Sequence, residues 1–474
     1  MNVLAIDQGT SATKALLVGA GDEILGAAEV PVRTYSAGPG GVETDPEDLF
    51  ASVLAAGAKA LAAACAPAHA VALANQGETV LAWDPATRRP LTPAIVWQDR
   101  RSAGVCARLA GSAGRLAGIT GLRLDPYFAA PKITWLRENL TTEGVVTTTD
   151  TWLLARLGAG YVTDAATASR TLLLDLDQVT WSAEACAPFG IDPTALPDVV
   201  DCAGIAGETA AFGGRPLPVA GLAVDQQAAL LAEHCLTPGQ AKCTYGTGAF
   251  LLAATGARAV RSGGGLAASV AWRLAGETAY CLDGQVYAAG AAVRWLHDLG
   301  LIGGPEDLDE LAADDAGGVT FVPSLAGLGA PHWRPDARGA FTGLSLGTAR
   351  EHLIRAVIDG IAASVALLAD CVTTDLGAPL TALRADGGLT RSRRLMQAQA
   401  DLLQVPVEIC RIPNATALGV AALARLGTGE ASTLAGALGP AQVETVIEPS
   451  ITPDQAAERA LAFRSALQAT LAAG

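Results

Sequence analysis

Short apolar runs that stop abruptly at a polar cluster recur along this chain, and they set most of its predicted elements. The most informative is Ala220 to Leu231, AGLAVDQQAALL, where a strand-like run meets Asp225 and then a helix-like run. A carboxylate at the carboxyl end of a buried strand, with Gln226 and Gln227 opening the next helix, stands where open α/β sheets gather their chemistry. As residues alone, Asp225 serves equally well as a helix cap. Met1–Ile6 and Lys14–Val18 flank Asp7-Gln8-Gly9-Thr10, which predicts a hairpin with a polar tip able to turn N–H groups toward phosphate. Residues 241–253, AKCTYGTGAFLLA, repeat that plan half a chain length later and point to two related halves facing one another across a cleft.

Between these landmarks the pattern predicts a Gly/Pro loop over Gly38–Asp45, a helix from Pro46 to about Ala64, and buried strands at Val71–Ala74 and Ala94–Val96. It adds a helix around Lys132–Glu138, polar turns at Asp150-Thr151-Trp152 and Thr163-Asp164-Ala165, and a loop-rich stretch from Asp201 to Leu217. The second half alternates strands and helices: Tyr280–Asp283, Ala288–Leu299, Val319–Val322, Arg350–Leu368 and Leu383–Ala385. Such alternation predicts an α/β fold. Asp386-Gly387-Gly388 lies between a strand and the helix Arg393–Leu403, an arrangement suited to a nucleotide. A capped helix starting at Thr452 closes the chain.

Composition narrows the possibilities. The 474 residues suffice for two domains, and half of them are hydrophobic. A formal charge of −15 argues against a nucleic-acid or anionic-membrane surface. Nine cysteines with no Cys-x-x-Cys fit a reducing compartment, and no run approaches the roughly 20 apolar residues of a membrane span, the Ala-rich segment from Ala51 to Ala74 coming closest. A cytoplasmic protein is expected. No Gly-Lys-Ser/Thr phosphate loop or zinc-spaced histidine occurs.

Taken in order, AIDQGTSATK, ANQGETVLAWD, AIVWQDRR, LDPYFAAPK, TDAATASRTLL, AGLAVDQQAAL, TYGTGAF, FVPSLAGLGAPHW, ARGAFTGL, RADGG and ATALGVAAL resemble the FGGY carbohydrate kinases, and their glycerol kinase branch most closely. The resemblance implies two actin-like, ribonuclease H-like α/β domains, 1–225 and 226–474, with a cleft between them. It implies ATP and Mg²⁺ as the phosphoryl donor system and a small polyol or sugar as acceptor. Asp225 matches the family's base and Asp7 its Mg²⁺-associated acid. Thr10, Ser11 and Lys14 match the phosphate hairpin, while Thr247, Gly290, Arg294, Gly388 and Ser392 fall on nucleotide positions. Acceptor contacts map to Gln76, Gly77, Glu78, Trp97, Tyr127, Asp225, Gln226 and Phe250.

Three positions depart from the family pattern. Gly77 stands where glycerol kinases keep an arginine, Arg294 where a glutamine is usual, and Ser392 where an asparagine is. A charge-assisted hydrogen bond is worth roughly 1.5–3 kcal/mol, so the missing arginine predicts glycerol binding weakened about tenfold to a hundredfold and room for a tetritol, pentitol or pentulose. The basic regulatory loop ahead of the base is short here, with Arg215 alone, which argues against feedback by a sugar bisphosphate. A nucleotide-gated sensor on the same fold is the non-enzymatic alternative, and a homodimer is the commonest assembly to expect.

Overall fold

In strand Val3–Gln8 every residue except Asp7 is buried, and the run pairs antiparallel with Ala12–Val18, which pairs in turn with Ile24–Pro31. The computed structural model describes residues 1–410, 412 and 414–473. Ala70–Asn75 joins Val3–Gln8 in parallel, Leu217–Val224 joins that strand in parallel, and Ala203–Thr209 closes the set antiparallel. The second half repeats this order. Gln240–Tyr245, Ala249–Gly256 and Glu277–Val286 form the antiparallel meander; Ala382–Asp386 and Val407–Cys410 add in parallel, and Val443–Ile447 closes antiparallel. Strand Ala267–Leu274 pairs with Glu277–Val286 and touches Ala203 through Leu274, so both halves run into one thirteen-stranded sheet. The shared strand order carries the duplication that two short hairpins suggested, and the architecture is the two-domain α/β plan of actin-like ATPases.

The helix that Asp225 opens, Asp225–Ala232, is held by a second helix, Ala415–Gly427, built almost wholly of small and aliphatic residues. Small side chains let the backbones approach closely. A Cβ on Gly419 would meet the Ala228 carbonyl oxygen at 1.9 Å, and one on Gly221 would meet the Val420 oxygen at 2.5 Å. Although it belongs to the second half of the sequence, Ala415–Gly427 packs on strands of the first half, in a core with Val3, Ala72, Ala74 and Ala223. Arg425 fastens it there, donating to Asp22 Oδ1 at 2.6 Å and to the Gly19 carbonyl at 2.6 Å. Asp225 therefore sits at the end of a strand and the head of a helix clamped between the halves.

Several expected elements differ from those observed. Gly38–Asp45 is not all loop: Val42–Thr44 is a strand paired with Thr34–Ser36. Asp150-Thr151-Trp152 is a buried part of helix Thr149–Leu157, not a turn, and tertiary partners meet part of its polar demand: Asp150 accepts from Thr163 Oγ1 at 2.6 Å and Trp152 Nε1 donates to the Arg88 carbonyl. The stretch 201–217 contains the strand Ala203–Thr209; its Gly207 reads as a breaker but is required, since a Cβ there would lie 2.1 Å from the Ala159 oxygen. Helix Arg350–Leu376 runs past Leu368 and is the segment long and apolar enough to cross a membrane, in place of Ala51–Ala74; 67% of its apolar window is buried within the fold.

Candidate active site

Each hairpin presents a tip with free backbone donors. In the first, Gly9 N–H closes the turn on Ala12, while the N–H groups of Thr10 and Ser11 donate to no partner among the described residues. In the second, Gly246 N–H closes on Gly248, and those of Thr247 and Gly248 are likewise uncommitted. Successive unpaired N–H groups form a concavity that favours anions. The Thr10 hydroxyl donates to Gln76 Oε1 at 3.0 Å and accepts from Trp97 Nε1 at 2.9 Å, which ties Trp97 to the Gln76 strand end. The tip also carries exposed Ser11 and half-buried Lys14, which stands opposite Asp7 in the ladder.

Asp225 opens its helix with one carboxylate oxygen accepting the Gln226 N–H at 2.7 Å. Among the described residues no arginine, lysine, serine or threonine binds the other oxygen. Burial raises its pKa against the pull of the Gln226 N–H and of Lys242. Lys242, fully buried, donates to Gln226 Oε1 at 2.8 Å and to Thr244 Oγ1 at 2.9 Å, which fixes Gln226 beside the base. Asp7 is pushed up to about 7, first by burial and then by repulsion from Asp225, with Lys14 pulling the other way. Its carboxylate accepts no hydrogen bond among the described residues. Two desolvated, mutually repelling carboxylates fit a divalent cation that also takes phosphate oxygens and water, the usual Mg²⁺ arrangement. No group of three or more candidate metal ligands occurs among the described residues.

The Asp7 shift has a testable sign. Its pKa in the folded chain lies above the ordinary 3.8, so the fold penalises the ionised form; the penalty is absent below pH 3.8 and complete above about pH 7. The thermal midpoint of the ligand-free protein therefore falls as pH rises through this window. Asp7→Asn removes that part of the slope and raises the midpoint at pH 8. Parallel melting curves for the two proteins across pH 5–8 would contradict the assignment.

On the acceptor side the organising group is Arg170. Its Nε donates to Glu78 Oε1 at 2.6 Å and its NH1 to Asp283 Oδ1, so one guanidinium joins a strand end of the first half to a strand of the second. All three side chains are buried or nearly so, with Arg170 at 5% exposure. The guanidinium lies 5.3 Å from the Phe128 ring centre and 5.9 Å from that of Tyr127, and Tyr127 packs edge-on against Trp97 at 5.6 Å. Burial raises the Glu78 carboxyl to about 7 against the opposing pull of Arg170. The Tyr127 loop is pinned from beneath by Lys132, whose ammonium binds the carbonyls of Pro126, Tyr127 and Phe128 and is lowered to about 8 by burial.

Gln76, Glu78, Trp97 and Tyr127 thus converge through direct contacts with Thr10 and Arg170. Phe250 is the ladder partner of Thr244 and of Gln285. Gly77 is buried with φ +35°, and a Cβ there would meet Val224 Cγ2 at 2.8 Å, so the residue preceding Asp225 stands where a larger side chain at this position would begin.

The remaining residues line a separate cavity of about 890 Å³ bounded by Thr247, Gly290, Arg294, Gly388, Ser392 and the segment 302–309. Gly290 closes against Gly246, where a Cβ would come 2.5 Å from a carbonyl oxygen. Ser392 is already engaged, capping helix Arg393–Leu403 and donating to Asp309 Oδ1 at 2.6 Å. Arg294 is exposed at the cavity rim. Reading the sequence assigned no role to Arg170, Asp283, Lys132 or Lys242. Their signal was a lone charge in an apolar or small-residue run, as in ATASRTLL and AKCTY.

A family model described as the FGGY family of carbohydrate kinases, N-terminal domain, matches residues 2–232, and its C-terminal counterpart matches residues 241–427. The chain is 46% identical to a glycerol kinase from Thermus brockianus over 91% of its own length and 90% of the relative's, and 41% identical to one from Aromatoleum aromaticum over 98% of each. Among solved structures it superposes on a Plasmodium falciparum glycerol kinase with ADP at TM-score 0.93 and 29% identity, covering 99% of this chain and 98% of that one. It also superposes on a xylulose kinase from Rhodospirillum rubrum at TM-score 0.87 and 27% identity, covering 99% of each.

Proposed function

This chain belongs to the FGGY family of carbohydrate kinases, and from that premise we propose that it transfers the γ-phosphoryl group of ATP to a hydroxyl of glycerol, giving glycerol 3-phosphate and ADP. The observation that carries the reading is Asp225, a buried carboxylate held by the N–H and the side-chain amide of its neighbour Gln226 and bonded to no cation among the described residues, at the junction of the two halves. The nucleotide lies in the 890 Å³ cavity, and its phosphates run to the free N–H groups of the two hairpin tips. Asp7 and Asp225 would hold Mg²⁺, which would supply positive charge at the phosphates.

Glu78 and Arg170 orient the acceptor hydroxyls, while Trp97, Tyr127 and Phe250 wall its carbon side. Asp225 takes the proton of the attacking hydroxyl as the new O–P bond forms, and its raised pKa brings its basicity closer to the working pH. Most of the acceleration comes from alignment and from preorganised donors around the transferring group. Lys242 keeps Gln226 from rotating into the acceptor's place.

The test is acceptor-dependent ADP release by the purified chain with ATP and Mg²⁺. Glycerol is expected to raise ADP release well over tenfold above the rate in its absence. ATP binding with no release on any polyol would favour the nucleotide-gated sensor instead.

A further inference from the structure

Lys242 stands within strand Gln240–Tyr245 and is fully buried, with Asp225, Asp283 and Glu233 close enough that its charge opposes the rise that burial gives each of their carboxyls. It forms no ion pair among the described residues. Both of its hydrogen bonds go to neutral oxygens, Gln226 Oε1 at 2.8 Å and Thr244 Oγ1 at 2.9 Å. The ladder sets Lys242 beside Arg384 and Thr244 beside Asp386, so these four side chains share one face of the sheet, and helix Asp225–Ala232 meets that face at both ends. Gln226 is bound there by Lys242 at the start of the helix, and the Glu233 carbonyl just past its end accepts from Arg384 NH1. An ammonium taken fully out of water for two neutral partners costs more than they return, so its place here calls for another reason.

An ammonium carries three donors and no acceptor, whereas a primary amide has an acceptor at one end and donors at the other. Lys242 can therefore bind only Oε1 of Gln226, and the amide nitrogen is left to face away from it. That nitrogen serves Asp225, whose carboxylate Gln226 holds through its side chain as well as through its N–H. Turned end for end, the same amide would set its oxygen against the carboxylate and repel it. We propose that Lys242 is a positioning residue for phosphoryl transfer: it fixes the polarity of the Gln226 amide, and through that amide it holds the Asp225 carboxylate in place for the acceptor hydroxyl. Thr244 steadies the ammonium from the same strand. This inference rests on the kinase reading of the same site.

The experiment measures kcat and KM for glycerol and for ATP, with Mg²⁺, in the intact chain and in Lys242→Met, Gln226→Met and the variant carrying both. Lys242→Met is expected to lower kcat about tenfold to a hundredfold, the worth of a charge-assisted hydrogen bond, and to leave KM for ATP unchanged. In the Gln226→Met background the same change should cost nothing further, because the amide it acts through is gone. Losing the ammonium strips Glu233 of a neighbouring cation, so the cycle is repeated on Glu233→Gln, a change whose own kcat should match the wild type. Losses that multiply in the cycle, an unchanged kcat in Lys242→Met, or failure of Lys242→Met to fold on both backgrounds would overturn the inference and leave the kinase reading standing. No turnover of glycerol by the wild type removes both.

Discussion

Asp225→Asn is expected to lower kcat with any acceptor by about 10²- to 10⁴-fold, the usual range for removing a positioned general base. Affinity for the nucleotide without Mg²⁺ should stay close to that of the wild type, because the residues lining the 890 Å³ cavity lie on the second half and do not include Asp225. The amide retains the size of the carboxylate and can still accept the Gln226 N–H, so the helix start survives. Removing a desolvated charge beside Asp7 also lifts repulsion, so the variant should melt no lower than the wild type. Stopped-flow or coupled ADP release checks the first effect, and calorimetric titration with a non-hydrolysable ATP analogue checks the second. A fall in kcat of less than tenfold would remove Asp225 from the chemical step.

Arg170→Met should produce the largest loss of stability of any single change in the acceptor site. It strands two carboxylates, Glu78 and Asp283, in an interior where each had one guanidinium for a partner. Breaking a buried ion pair in this way costs about 3–5 kcal/mol, chiefly because the uncompensated charge remains. The link between the halves is lost as well, since Glu78 belongs to one and Asp283 to the other. The triple variant Arg170→Met, Glu78→Gln, Asp283→Asn removes the stranded charges and should recover most of the thermal midpoint. Activity should not return, because the acceptor's hydroxyls still lack Glu78. Recovery of both, or of neither, would contradict the division between electrostatic and acceptor-orienting roles.

The parts of this site that the sequence discloses are those whose chemistry is local. A glycine and threonine tip between two apolar runs dictates a hairpin, and a carboxylate where an apolar strand ends dictates a junction. Both were therefore legible at residues 7–14, 225 and 244–248. Arg170 was not, because its partners are 92 and 113 residues away and nothing near it in the chain announces them. The same limit applies to Gly77. Its substitution for arginine is visible in the sequence, but that Val224 stands against it emerges only when strand Ala70–Asn75 lies beside Leu217–Val224. Strand Ala203–Thr209 was hidden by Gly204 and Gly207, which look like loop residues, although at Gly207 a close backbone contact in fact requires glycine.

Phosphoryl transfer as proposed requires Asp225 to be ionised when the acceptor hydroxyl attacks, and the pH dependence of kcat/KM for wild type and Asp225→Asn examines this most directly. The wild type should lose activity on the acid side with a pKa above the ordinary aspartate value of 3.8, as burial dictates, and the variant should keep a shallower limb, the part that Asp7 and Glu78 contribute. Acid limbs of equal steepness in both proteins would contradict it.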